Sequence, residues 1–190
     1  AATATALAFL GEGKLRRSLD ESIALRAKFL SEYQNSAYAK RYTDFVAKVR
    51  AAEQQHSHEF TGLSEAVAKC LFKLMAYKDE YEVARLYSSP AFLKQIADTF
   101  EGDIKLHLNL APPLFAKKDA DGHLIKQEFG AWALPAIKTL RHLKFLRGTA
   151  LDVFGKTEER RMERALIEDY KRDIETVVSK LSVGNHVQAV

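Results

Sequence analysis

GLSEAVAKCLFKLMAYKDEYEVARLY, residues 62–87, is the longest apolar-patterned stretch of this 190-residue chain, and its reading governs the rest. Turned at about 100° per residue, Leu63, Val67, Cys70, Leu71 and Leu74 share one stripe of an amphipathic helix. Phe72, Ala76, Val83 and Leu86 supply a second oily side, which predicts a central helix over about 63–87. The first stripe then passes through Lys78, Tyr81 and Arg85. Either it leaves the core there, or it holds charge for a reason.

Glu82, four residues after Lys78 and three before Arg85, offers an internal ion pair, and long basic side chains can rest their stems on apolar surface. The functional alternative is an anion site, in which Arg85 forks onto a carboxylate or phosphate while Tyr81 donates a hydrogen bond.

Upstream, Ser18-Leu-Asp-Glu21 is a capping box and starts a helix at Leu19. Its inner side is Leu19, Ile23, Ala27 and Leu30, and it ends near Tyr33. Tyr38, Tyr42, Phe45 and Val49 then recur at helical spacing, so these two helices are expected to form an antiparallel hairpin. Downstream, Ser88-Ser89-Pro90 restarts a short helix that ends near Phe100. Ile104, Leu106, Leu108 and Leu110 alternate with Lys105, His107 and Asn109 as a strand does, up to Pro112-Pro113. Residues 114–129 read as a hairpin turning at Asp119-Ala-Asp121-Gly122. A helix follows from Trp132 to Arg147, stopped by Gly148. Thr157 caps a long last helix with Met162, Leu166, Tyr170, Ile174, Val177 and Leu181 inward and a Glu168–Arg172 pair outward. The expected fold is mainly α, a bundle-like domain of about six helices over 18–190 with a small antiparallel β-ribbon inserted at about 104–128. Residues 1–17 are read as a flexible or interdomain segment.

With 47% hydrophobic and 28% charged residues, the composition is that of an ordinary globular domain. A net charge of +4 is too mild to argue for nucleic-acid binding, and no stretch approaches the roughly 18 apolar residues of a membrane span. A single cysteine, Cys70, builds neither an internal disulfide nor a cysteine-ligated cluster, which fits a reducing cytoplasm. No basic region precedes the N-terminal apolar stretch, so no signal peptide is read, and an opening at Ala1 is expected of a fragment or processed product.

Motif-like fragments fail on spacing. His56-Ser-His58 lacks a third ligand, and Gly11-Glu-Gly13-Lys14 is followed by Leu15 where a phosphate-cradling loop needs Ser or Thr. Asp119-Ala-Asp121-Gly122 has its glycine too early for a calcium loop. No serine sits in a nucleophile elbow and no base is evident for Cys70. Lys138, Arg141, His142, Lys144 and Arg147 occupy a run without an acid, on an arc opposite Ala136, Leu140, Leu143 and Leu146. The plain reading is a solvated face, and the functional one is docking on an acidic partner.

Residues 62–87, FEGDIKLHLNLAPPL (100–114) and FGAWALPAIKTLRHLKFLRGTALDVFGKTEERRMERALIEDY (129–170) resemble the C-terminal helical domain of large bacterial indolepyruvate ferredoxin oxidoreductases. SLDESIALRAKFLSEYQNSAYAKRY (18–42) is similar to that domain's opening. The resemblance implies a parent enzyme that oxidatively decarboxylates aryl 2-oxo acids with thiamine diphosphate, Mg and iron–sulfur clusters, reducing ferredoxin and yielding an acyl-CoA. This chain lacks the parts: Gly102-Asp103 is followed by Ile104 rather than the glycine of a thiamine diphosphate motif, and one cysteine ligates no cluster. The implied role is therefore a non-catalytic accessory domain without cofactors of its own. Its expected partners are the catalytic domains of the same polypeptide, ferredoxin at the basic arc, or a second copy, with no nucleic acid and no membrane. The alternative is a regulatory module binding a 2-oxo acid or CoA through Lys78, Tyr81 and Arg85.

Overall fold

A computed structural model describes residues 17–56, 60–110, 125–130 and 132–190. The chain is mainly α with a small two-stranded antiparallel sheet. It divides into two compact units: Lys78–Thr157 form one, and the described residues up to Tyr77 join Glu158–Val190 to form the other.

In the second of these, α1 (Leu19–Tyr33) starts at the expected capping box, with Ser18 accepting from the Glu21 amide at 3.2 Å and Glu21 accepting from the Ser18 amide at 2.8 Å. Asn35 caps α2 (Ser36–Gln54) through the Tyr38 amide at 2.8 Å, and the two helices fold back as a hairpin. α2 buries Tyr38, Tyr42, Phe45 and Val49 as expected, together with Ala39 and Val46. α3 (Gly62–Met75) lays Leu63, Val67, Leu71, Phe72 and Met75 against them, whereas Cys70, expected on the inner stripe, is exposed.

The predicted helix over 63–87 is two helices. α3 ends at Met75, and α4 (Glu80–Tyr87) begins after Asp79, whose carboxylate accepts the Glu82 amide at 2.8 Å. The carbonyls freed by the break are used: Tyr38 donates to Met75 O at 2.9 Å and Tyr33 to Tyr77 O at 2.8 Å. Asp79 followed three residues later by Glu82 is a helix-start signature, and the unbroken apolar stripe across it predicts a single helix instead.

α7 (Glu158–Ser179) completes this unit. Ile167 is its buried residue, with Tyr170, Ile174 and Val177 packed at the edge, while Met162 and Leu166, expected inward, are exposed. Glu168 pairs with Arg41 of α2 and with Lys171, and Arg172 pairs with Asp169, so the expected Glu168–Arg172 pair does not form. Arg41–Glu168 and Lys48–Glu175, both at 2.7 Å, repeat at seven residues on each helix, which makes α2 and α7 parallel. α8 (His186–Ala189) ends the chain.

In the other unit, Ser89 caps α5 (Pro90–Thr99) with Pro90 in the first turn. β1 (Leu108–Leu110) pairs with β2 (Gln127–Phe129) in the register Leu108 to Phe129, Asn109 to Glu128 and Leu110 to Gln127. Only the end of the expected strand from Ile104 is laddered, because β2 offers three residues; the turn at 119–122 and Pro112-Pro113 lie outside the described residues. Leu108 packs with Ala84, Ala133 and Ile137 in this unit's core. α6 (Ala133–Leu140) passes into a 3₁₀ segment, Arg141–Leu146, instead of continuing as α-helix to Arg147. Gly148, at φ +76°, turns the chain, and a short 3₁₀ segment, Phe154–Lys156, follows.

Candidate functional site

The change of helix type explains what happens to the basic arc. A 3₁₀ helix has about 3.0 residues per turn, so Arg141, Lys144 and Arg147 align on one ridge instead of spreading over a wide arc. That ridge turns inward. Arg141 donates to Ser88 O at 3.2 Å, Lys144 is half-buried, and Arg147 is buried. Lys138 and His142 remain exposed.

Arg147 brings the two candidate sets together. Its Nε and one terminal nitrogen fork onto the two oxygens of Asp79 at 2.5 and 2.8 Å, while the same carboxylate caps α4. Its guanidinium lies 5.6 Å from the centre of the Tyr81 ring. Tyr81 donates to Asp152 Oδ1 at 3.1 Å, and Asp152 also accepts the Gly148 amide at 2.7 Å and the Gly155 amide at 2.9 Å. Phe154 stands edge-on to Tyr81 at 5.4 Å. All four polar members, Asp79, Tyr81, Arg147 and Asp152, are buried.

Of the proposed anion site, Tyr81 thus belongs to this network. Arg85 forks onto Glu82 with both contacts at 2.8 Å, as the spacing suggested, and Lys78 is exposed in the break before α4. The three are not convergent. Burial, chiefly, and then the negative charge of Asp152 and its hydrogen bond push the Tyr81 phenol far above its ordinary range, against the pull of Arg147. A proton held there is not available for transfer, and a general acid or base must reach its substrate.

Sequence reasoning missed Asp79 and Asp152. The signal for Asp79 was its place three before Glu82; Asp152, four after Gly148, carries no pattern distinguishing it from a surface acid.

The other unit holds a second buried polar centre. Glu53 accepts the Leu63 amide at 2.8 Å, the Ser64 amide at 2.9 Å, the Ser64 hydroxyl, and His186 Nε2 at 2.6 Å, which places the imidazole proton on Nε2. Phe60 stacks on His186 at 4.0 Å. Serine, histidine and carboxylate meet here in the wrong order for a nucleophilic triad, because the carboxylate stands between the other two and not behind the histidine. Its role is to satisfy amide groups at the start of α3. Burial works against the charge of Glu53, but the hydrogen bonds from Ser64, His186 and Leu63 together outweigh it and hold the carboxyl below its ordinary value.

Near Cys70, burial, chiefly, and the thiol itself push Tyr170 up to about 12. Its contribution to stability is complete below pH 10, the unperturbed value, and is lost as pH rises from there towards 12. An ultraviolet titration should show the same number of tyrosines ionising below about pH 11 in wild type and in Tyr170→Phe; a loss of signal in the variant would contradict the shift.

Among the described residues no three histidine, cysteine or acidic side chains cluster as metal ligands, and no helix is long and apolar enough to cross a membrane. His58 and residues 11–14 lie outside the described residues. The profile of a family of unknown function, DUF6537, matches residues 19–190. The chain belongs to this family. No curated protein and no solved structure matches it. Both polar centres fall inside the DUF6537 region, from Glu53 to His186 and from Asp79 to Asp152.

Proposed function

We propose that this DUF6537 chain is a non-catalytic accessory domain of a cytoplasmic 2-oxo acid ferredoxin oxidoreductase of the indolepyruvate type, packing on catalytic domains of the same polypeptide. Thiamine diphosphate, Mg and iron–sulfur clusters belong in this reading to those other domains. The likeness of residues 18–42, 62–87, 100–114 and 129–170 to the C-terminal helical domain of such enzymes supplies the host.

The observation that carries the accessory role is the internal use of the reactive groups. Arg147 is held by Asp79, Arg85 by Glu82 and Tyr81 by Asp152, so the cations and the phenol best suited to a ligand already serve carboxylates of their own unit. A 2-oxo acid or CoA phosphate would have to displace Glu82 from a two-point contact to reach Arg85.

An antibody raised against this chain, used on a denaturing blot of the source cells, should detect a polypeptide far above 21.4 kDa. A band at that mass would overturn the fused-domain reading and bring forward the ligand-binding module, for which calorimetry with a 2-oxo acid and CoA, against Arg85→Ala, is the direct measurement.

A further inference from the structure

Between residues 142 and 153 the usual sorting of side chains is inverted. Arg147 and Asp152 are 4% and 3% exposed, while Phe145 is 59%, Leu151 72% and Val153 50% exposed, with Leu143 at 36%. Folding alone does not favour this, since charged residues are rarely interior and large apolar ones prefer to be. Up to Arg147 the cause is the 3₁₀ segment, whose three-residue ridge turns Arg141, Lys144 and Arg147 inward and leaves His142 and Phe145 to the outside; beyond it, Asp152 is turned inward by the Gly148 and Gly155 amides and the Tyr81 hydroxyl. Exposed apolar side chains concentrated in so short a stretch mark a surface that another protein covers.

The charges around it indicate what kind of protein. Over residues 130–157 the only acid is Asp152, and it is buried, whereas Lys138 and Lys156 are exposed. An apolar centre flanked by the exposed Lys138 and Lys156 matches an apolar surface edged by carboxylates. A second copy of this chain is a poor occupant, because a two-fold contact would set the same lysines against one another.

We infer that the outer side of residues 142–153 is the face by which this domain seats on an acid-edged apolar surface of the catalytic domains in its own polypeptide. The inference rests on the accessory-domain reading and adds to it the face and the chemistry of its counterpart.

Photo-crosslinking in the full-length polypeptide tests it, with p-benzoylphenylalanine replacing Phe145 in one preparation and Phe100, 60% exposed in the same unit, in another. The exchange is aromatic for aromatic at solvent-facing positions, so folding is preserved. The expected result is a cross-link from position 145 to a catalytic-domain peptide rich in Asp and Glu, at least about fivefold above the yield from position 100, falling about threefold with Lys138→Glu and Lys156→Glu together. Equal yields at the two positions, or a cross-link to a second copy or to a separate protein, would overturn the inference. Indifference to the charge reversal would overturn the acid-edged counterpart. A full-length polypeptide that cross-links elsewhere leaves the accessory-domain reading standing, whereas a blot band at 21.4 kDa removes that reading and this inference together.

Discussion

Arg147→Met should destabilise its unit by about 3–5 kcal/mol, because the substitution leaves the Asp79 carboxylate buried without its cation. Both partners are almost fully enclosed, at 3% and 4% side-chain exposure, so water cannot substitute cheaply for the lost fork. The value describes the loss of one partner and not the net worth of the pair, since burying two charges is itself costly. Adding Asp79→Asn separates the two. Asparagine retains an oxygen for the Glu82 amide but buries no charge, so the double variant should lose about 1–3 kcal/mol less than the sum of the single ones. Chemical denaturation followed by circular dichroism gives all four corners of the cycle. A loss below about 1 kcal/mol for Arg147→Met would mean that the pair is solvated and that the network does not hold α4 to the end of the 3₁₀ segment.

Glu53→Ala should be as severe, at about 3–5 kcal/mol or outright failure to fold, since it strands the amides of Leu63 and Ser64, the Ser64 hydroxyl and His186 Nε2. The same residue predicts an acid limb. Its folded carboxyl titrates below its ordinary value of 4.5, so its stabilisation is complete above that pH and is lost as pH falls through the lower folded value. Glu53→Gln keeps the size and one acceptor oxygen, removes the charge, and should flatten that limb. Denaturation midpoints measured from roughly pH 7 down to pH 3 decide the matter. If wild type and Glu53→Gln fall in parallel, other carboxylates cause the acid loss.

Much of the helical frame was legible because its signals are local. Ser18 with Glu21 and Ser89 with Pro90 are start signals read over four residues, and the structure uses both of them. The aromatic face of α2 was legible for the same reason: a period of 3.6 needs no partner to be seen. Periodicity misled where two helices happened to share a phase. Residues 62–87 keep their stripe across the break at Met75, so the pattern alone favoured one helix, and the Asp79 cap that divides it was missed. On α7 the pattern placed Leu166 inward, and packing against α3 buries its neighbour Ile167 instead.

The candidate site was half legible. Tyr81 and Arg85 stood out as polar groups on an apolar stripe and Arg147 as part of a basic arc, which put them in two unrelated constellations. Joining Tyr81 with Arg147 needed partners 68 and 71 residues away in sequence, Asp79 for the arginine and Asp152 for the tyrosine. Glu53 and His186, 133 residues apart, were equally out of reach.

The sequence by itself determined the class of fold, the starts of most helices and the presence of a ribbon, all of which follow from caps, turns and side-chain period acting over a few residues. Which charges face inward was decided by tertiary structure. A run of bases from 138 to 147 reads as an outer arc at 3.6 residues per turn and as an inner ridge at three, and the choice rests on the buried Asp79 carboxylate, the cap of a neighbouring helix, which holds Arg147 inward.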